Sequence, residues 1–368
     1  MNKDIISLYI HIPFCNHICD YCDFPKLQYF RFLAEKYLES LEKEIKQYNI
    51  STNLETIYIG GGTPTALEDV LFEKLLKIVE PYSKSIKEYT VEANPESLTL
   101  AKLKLMKKYN INRISIGVES TNDIILKTIN RHHTWEDVKT CISNAQKEGF
   151  DNLNVDLILG LPNVSNKLLK EDLDKILSLD IKHLSAYSLT VHPNTVFGIK
   201  NIQEEKQEIQ REQYDLVNEL LKEKGFIHYE ISNWAKQGYE SLHNFTYWKD
   251  EQYYGIGLGA AGFIGNIRYS NTKSINKYIE GNFIAEQEIV SLQDDLEYFI
   301  MLNLRTNKGI NLEIFKEKFG FDFYEEYKNE INNFISNGFL VKENNSIIPT
   351  YSGMMILDTI VLELLKYE

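Results

Sequence analysis

The chain reads as an α/β protein: a partial barrel of six βα units, then a C-terminal mixed and winged-helix-like helical domain. Three observations predict this. Short β-branched and apolar runs recur six times, most of them are followed by an amphipathic stretch, and the repeat gives way to a different pattern near residue 200. Parallel strands joined by right-handed helical crossovers wind into a barrel or part of one, and ligands bind at the carboxyl ends of the strands.

The strand-like runs are 7–12, 56–59, 89–93, 113–117, 154–159 and 183–187. Between them, residues 32–48, 67–79, 100–109, 135–148 and 168–177 place an apolar residue at about every third or fourth position, as a helix with one buried face requires. Residues 1–200 form this core. Residues 201–290 begin with a long helix, from about Gln203 through Lys224, and continue as a segment rich in aromatics and glycine. Residues 291–368 hold two or three helices, a hairpin-like pair at 339–342 and 346–349 turned by Glu343-Asn344-Asn345, and a final helix. That is the order of a winged helix.

Charge limits what such a domain does. The chain carries a net charge of −13, and residues 291–368 hold seven Lys/Arg against thirteen Asp/Glu. Binding to nucleic-acid phosphates needs a basic surface, so a packing or lid role is expected and no nucleic-acid partner. No run approaches the roughly 20 consecutive apolar residues of a membrane helix. A cytoplasmic protein without a transmembrane segment is expected.

Cys15, Cys19 and Cys22 stand in Cys-x3-Cys-x2-Cys spacing just after the first strand. A four-iron cluster has four corners, and a tight three-cysteine loop fills three of them, leaving one iron open to a small molecule. The residues alone also allow zinc, with His11 or His17 as a fourth ligand, or free or disulfide-bonded thiols. Cys141, in a helical stretch, reads as a core residue. After the second strand, Gly60-Gly61-Gly62-Thr63-Pro64 lets backbone approach a ligand closely, and it lacks the ending of a Walker loop. Glu92 and Glu119 end or follow neighbouring strands and Asp156 lies within the fifth. Such recessed carboxylates need partners, and Arg131 is available as one.

In chain order, the cysteine loop, the glycine turn, Glu92-Ala93-Asn94-Pro95, the run from Ser115 to Ser120, Arg131 and the run from Asp156 to Pro162 resemble the radical S-adenosylmethionine (SAM) enzymes of the coproporphyrinogen-oxidase-like group. The likeness covers nearly the whole chain. It implies a radical-SAM partial (β/α)6 barrel, a [4Fe-4S] cluster on Cys15, Cys19 and Cys22, and SAM held by Tyr9, Gly61, Gly62, Thr63 and Glu92. Arg131 and Asp156 match further positions lining the nucleotide pocket. Glu119 stands where the group usually has glutamine, which exchanges two donors for a charge. In that group SAM's methionine chelates the open iron, and an electron from the cluster can cleave the sulfonium, so the cofactors carry the hard step.

Within the group, Phe24 occupies the position of a further cysteine in the oxygen-independent coproporphyrinogen III oxidase. Only fourteen residues precede Cys15, where that oxidase has a long extension. The run from His243 to Trp248 resembles the haem motif of HemW-type haem chaperones. By that resemblance His243, Asn244, Tyr247 and Trp248 bind haem, with the His243 imidazole as axial ligand and the aromatic rings as flat faces. Taken by themselves, these residues also suit a hydrogen-bonded structural histidine. The resemblance implies a protein that passes haem to apoproteins in the cytoplasm or, by peripheral contact, to membrane haem proteins. Two other readings stay open: the oxidase itself, a radical-SAM decarboxylase, and a zinc-stabilised binding protein.

Overall fold

A computed structural model describes residues 5–50 and 53–366. Six parallel strands follow one another across the middle of a nine-stranded sheet: β1 (Ser7–Ile12), β2 (Thr56–Gly61), β3 (Glu88–Ala93), β4 (Arg113–Glu119), β5 (Asn152–Leu159) and β6 (His183–Ser188). Tyr254–Ile256 adds a parallel strand beside β1. Asn233–Ala235 pairs antiparallel with β6, and Ile227–Glu230 completes that edge.

Alternation along each strand separates two faces. Leu8, Ile10, Ile57, Ile59, Val91, Ile114, Ile116, Val155 and Leu157 are buried in one large hydrophobic core, which they share with residues of the crossover helices such as Leu38, Leu41, Leu75, Leu103, Ile142 and Leu173. The intervening positions include Tyr58, Glu92, Ser115 and Asp156, which face the barrel interior and line a cavity there. The first strand keeps its expected limits, and the other five run a residue or two past theirs. Gly61 closes β2, and Glu119 closes β4 beyond a register shift against β5. Glu119 adopts φ +65°, a conformation unusual outside glycine, which turns its side chain at the strand end.

The aromatic and glycine-rich segment is tied to the barrel by a buried acid. Glu44, in the helix Arg31–Gln47, accepts from the Gly257 N–H at 2.9 Å, from Asn271 Nδ2 at 2.5 Å and from the Tyr278 hydroxyl. A second hydrophobic core begins after residue 290, with Phe299, Phe315, Phe323, Ile331, Leu340, Ile347 and Ile360. Around it the helices Leu292–Asn303, Leu312–Phe319, Lys328–Ser336 and Leu357–Leu365 pack with a three-stranded sheet of Ile310–Asn311, Ser346–Pro349 and Leu340–Glu343. The hairpin turns at Asn344 and Asn345, whose φ of +47° and +61° match the mirror-image turn that suits twisted strands. Among the described residues, no helix is long and apolar enough to cross a membrane.

Candidate functional site

The carboxyl ends of β1 to β6 open into a cavity of about 360 Å³. Cys15, Cys19 and Cys22 line it, together with Gly61, Gly62, Thr63, Glu92, Glu119, Arg131 and Asp156. Ten of the eleven residues expected at the cluster and SAM sites therefore meet in one space. Tyr9 is the exception. It lies deeper in the barrel, with its hydroxyl 3.0 Å from His11 Nδ1, and does not line the cavity.

The cysteine loop is held from behind. Phe14–Cys15 pairs with Leu27–Gln28, and His11 Nε2 lies 2.7 Å from the Pro25 carbonyl. Burial pushes the His11 imidazole down to about 4, so it stays neutral. With one nitrogen on Pro25 and the other on Tyr9, His11 serves as a clamp and is not free to be the fourth zinc ligand that the spacing allowed. The cysteines form no disulfide. Among the described residues, no three His, Cys, Asp or Glu side chains are placed to hold a single metal ion. Three thiols around a wider space suit a cluster with several irons.

Two donors point at the sulfurs: Thr63 Oγ1 at 3.7 Å from Cys15 Sγ and Arg131 Nη1 at 3.6 Å from Cys19 Sγ. Thr63 and the Arg131 charge both favour the Cys15 thiolate, against burial that pushes that thiol up to about 12. Gly62 is needed here because a Cβ on it would sit 2.9 Å from Cys15 Sγ and from the Phe14 carbonyl. Gly61 has φ +112°, and its N–H donates to Glu92 Oε2 at 2.9 Å.

Glu92 also accepts from the Tyr58 hydroxyl at 2.8 Å, and among the described residues no Lys or Arg forms an ion pair with it. Desolvation, helped by the charge of Asp156, pushes its carboxyl up to about 7. Asp156 is likewise raised by burial, while Asn154 Nδ2 donates to it at 2.7 Å. Such a pair suits a ligand that brings a cationic group and hydroxyls. Across the cavity, Arg131 pairs with Glu119 at 3.2 Å and donates to Asn94 Oδ1 at 3.1 Å. Burial raises Glu119 to about 7, and Arg131 pulls against that rise. The acid in place of the group's usual glutamine thus has an internal partner. Arg131 Nε has none, which leaves one buried donor for a ligand.

Family models and curated relatives match most of the chain. Residues 9–176 match the Radical SAM superfamily model, and residues 290–356 match the HemN C-terminal domain. The chain is 37% identical to the heme chaperone HemW of Bacillus subtilis (strain 168), over 95% of this chain and 96% of that one. It is 36% identical to HemW of Lactococcus lactis, with 94% of each chain covered. The chain belongs to the HemW family. Its fold is shared with a solved structure, the coproporphyrinogen III oxidase HemN of Escherichia coli, a radical SAM enzyme, with a TM-score of 0.85 at 21% identity over 100% of this chain and 91% of that one.

The haem-motif residues of the HemW-like run lie elsewhere. His243, Asn244, Tyr247 and Trp248 belong to the helix Leu242–Trp248, which closes the opposite, amino-terminal end of the barrel. Glu88, at the start of β3, accepts from Ser241 Oγ at 3.0 Å, the Leu242 N–H at 2.8 Å and the His243 N–H at 3.0 Å. The His243 ring is 1% exposed, stacks on Tyr58 at 5.2 Å, and engages both nitrogens. Nδ1 lies 2.8 Å from Thr56 Oγ1, and Nε2 lies 2.7 Å from the Tyr247 hydroxyl. Thr56 donates onward to Ser7, so Nδ1 carries the proton and Tyr247 donates to Nε2. In this structure the His243 ring is a buried plug with both nitrogens bonded to protein groups. Trp248 is half-buried beneath the Arg305 guanidinium, and its Nε1 has no hydrogen-bond partner.

Some cavity residues were read only as parts of a motif, as Asn94 and Ser115 were, or not at all, as with Tyr58 and Tyr187. All four line the cavity. Tyr58 and Ser115 share the period-two face that carries Glu92 and Asp156, and that alternation was the available signal.

Proposed function

We propose that this chain is a haem chaperone that binds haem, a [4Fe-4S] cluster and SAM, and delivers haem to apoproteins in the cytoplasm, with peripheral contact where the recipient is a membrane haem protein. The observation that carries the reading is the convergence of three thiols, the Gly61–Gly62 backbone and two cation-poor carboxyls in one cavity. Cys15, Cys19 and Cys22 would hold the cluster. Glu92 would take the methionine ammonium of SAM, Arg131 its carboxylate, and Asp156 the ribose hydroxyls. When bound, cluster and SAM together supply one-electron chemistry. The chain's own part is to position them: Thr63 and Arg131 steady the thiolates, and the His11 clamp fixes the loop.

The relatives' printed name, heme chaperone, favours this reading over the oxidase, as does Phe24 in place of a further cysteine. The test is haem titration of anaerobically purified protein beside a coproporphyrinogen III turnover assay with SAM and reductant. Saturable haem binding without decarboxylation is expected. Rapid decarboxylation would move the chain to the oxidase.

A further inference from the structure

The chain has six arginines. Among the described residues, four form ion pairs: Arg31 with Glu35 and Glu68, Arg131 with Glu119, Arg211 with Asp215, and Arg268 with Asp250. Arg113 forms none and is sealed inside the barrel at 2% exposure. Arg305 also forms none, but it is half-buried and lies against the haem-motif helix.

The backbone around Arg305 is fixed to the edge of the barrel sheet. Its carbonyl accepts from the Ile231 N–H at 3.2 Å, Thr306 bridges to Glu230, and the Asn307 N–H donates to the Tyr229 carbonyl at 2.9 Å. So anchored, the guanidinium carbon stands 5.5 Å from the centroid of the Trp248 ring. The two side chains hold two N–H groups without an acceptor, since Arg305 Nε and Trp248 Nε1 are both buried and unpaired. Neither can serve the other, because indole and guanidinium only donate. Buried donors without an acceptor are costly, and native folds rarely keep them without a use.

Glu230 lies near, but its carboxyl is taken by Asn233 Nδ2 and by the Ser232 N–H at 3.1 Å. Burial pushes that carboxyl up to about 7, with Arg305 pulling against the rise. A guanidinium and an indole N–H that no acid of the chain satisfies make a receptor for a carboxylate.

We propose that Arg305 and Trp248 bind a propionate carboxylate of haem, with the Arg305 guanidinium as its counter-charge and Trp248 Nε1 as a second donor. This rests on the haem-binding reading above and deepens it. Trp248 belongs to the haem-motif run, and Arg305 lies in the stretch that matches the HemN C-terminal domain. That domain then has a part in ligand binding beyond packing, and an anionic ligand accounts for one unpaired cation where acids outnumber bases thirteen to seven.

The test titrates full-length, cluster-loaded protein with haem and with its dimethyl ester, in which both propionates are capped while iron and macrocycle are kept. Wild type should bind haem at least about tenfold more tightly than the ester, as loss of a charge-assisted hydrogen bond predicts. Arg305→Gln should lower haem affinity by a similar factor and leave ester affinity unchanged, so that the preference disappears. Trp248→Phe keeps a ring, removes the N–H and should lower the preference by less. Far-UV circular dichroism and iron content check that each variant is folded and loaded. Arg305→Lys, which keeps the charge and loses the fork, should fall between wild type and Arg305→Gln, and it carries the comparison if Arg305→Gln does not fold. Equal affinity of wild type for haem and ester would leave the two donors to water and overturn the carboxylate site while the chaperone reading stands. A full preference for haem in the Arg305 variants would overturn it as well. If wild type binds neither compound, both readings fall together.

Discussion

Replacing His243 with Ala should cost the fold heavily whatever it does to haem. The substitution orphans Thr56 Oγ1 as an acceptor and the Tyr247 hydroxyl as a donor, both inside the barrel end. Each orphaned buried group costs about 1–3 kcal/mol. The ring's stack on Tyr58 is lost too, and emptying a buried ring site costs about 3–5 kcal/mol by itself. These terms overlap, so the expected net loss is about 4 kcal/mol, a large share of the roughly 5–15 kcal/mol typical of a folded domain. Guanidinium unfolding of the cluster-free protein, followed by far-UV circular dichroism under nitrogen, measures it. A control with Thr56→Val, which leaves Nδ1–H unpaired, should cost about 1–3 kcal/mol. A loss below about 1 kcal/mol for His243→Ala at unchanged m-value would refute the plug, since a ring that leaves so cheaply is not sealed. The result also bears on haem assays: a His243 variant with poor haem uptake first has to be shown to be folded.

The same imidazole gives a pH dependence. Burial holds it neutral down to about 3, whereas an unfolded histidine takes a proton near 6.5. Its contribution is therefore complete above pH 6.5 and lost as pH falls toward 3, at up to about 1.4 kcal/mol per pH unit. Glu92 and Glu119, raised to about 7, act oppositely between about 4.5 and 7, so the slope should be compared with that of His243→Phe; equal slopes would remove the effect. Cys15→Ala, Cys19→Ala or Cys22→Ala should each lose most of the iron and acid-labile sulfide, and Cys141→Ala, buried in its helix, should keep both. Glu92→Ala and Asp156→Ala should weaken SAM binding at least tenfold with the cluster retained, measured by anaerobic equilibrium dialysis; unchanged affinity in both would exclude them from the pocket. Gly62→Ala should lower cluster occupancy, because its Cβ would press on Cys15 Sγ and the Phe14 carbonyl, and full iron content in that variant would show that the loop yields.

The barrel was legible because its signals are local. The Ile10, Ile59, Val91 and Ile116 runs mark strands, and the amphipathic stretches mark the helices outside them. Cys15, Cys19 and Cys22 were legible because an eight-residue span holds all three. The packing of His243 was not legible. Its partners Thr56 and Glu88 lie 187 and 155 residues away, and no spacing rule brings them together. The depth of Tyr9 was not legible for a similar reason, since only the fold decides whether a strand residue reaches the cavity. The stacking of His17 on His132 joins two loops over a hundred residues apart, so it too appears only in the fold.

The Glu88 carboxylate has a consequence for the order of folding. A seven-residue helix is far below the length at which a peptide helix persists in water, so Leu242–Trp248 has no independent existence. Its first turn is nucleated by one acid at the start of β3, and its inner face is completed by Ser7 and Thr56 from β1 and β2. Those three strand ends must be in register before the helix has anything to form on. The segment is thus a late arrival that reports a finished barrel, and the Leu242 and His243 amides should exchange with solvent only on global unfolding. Faster exchange at those two amides than in β2 would mean that the barrel end opens by itself.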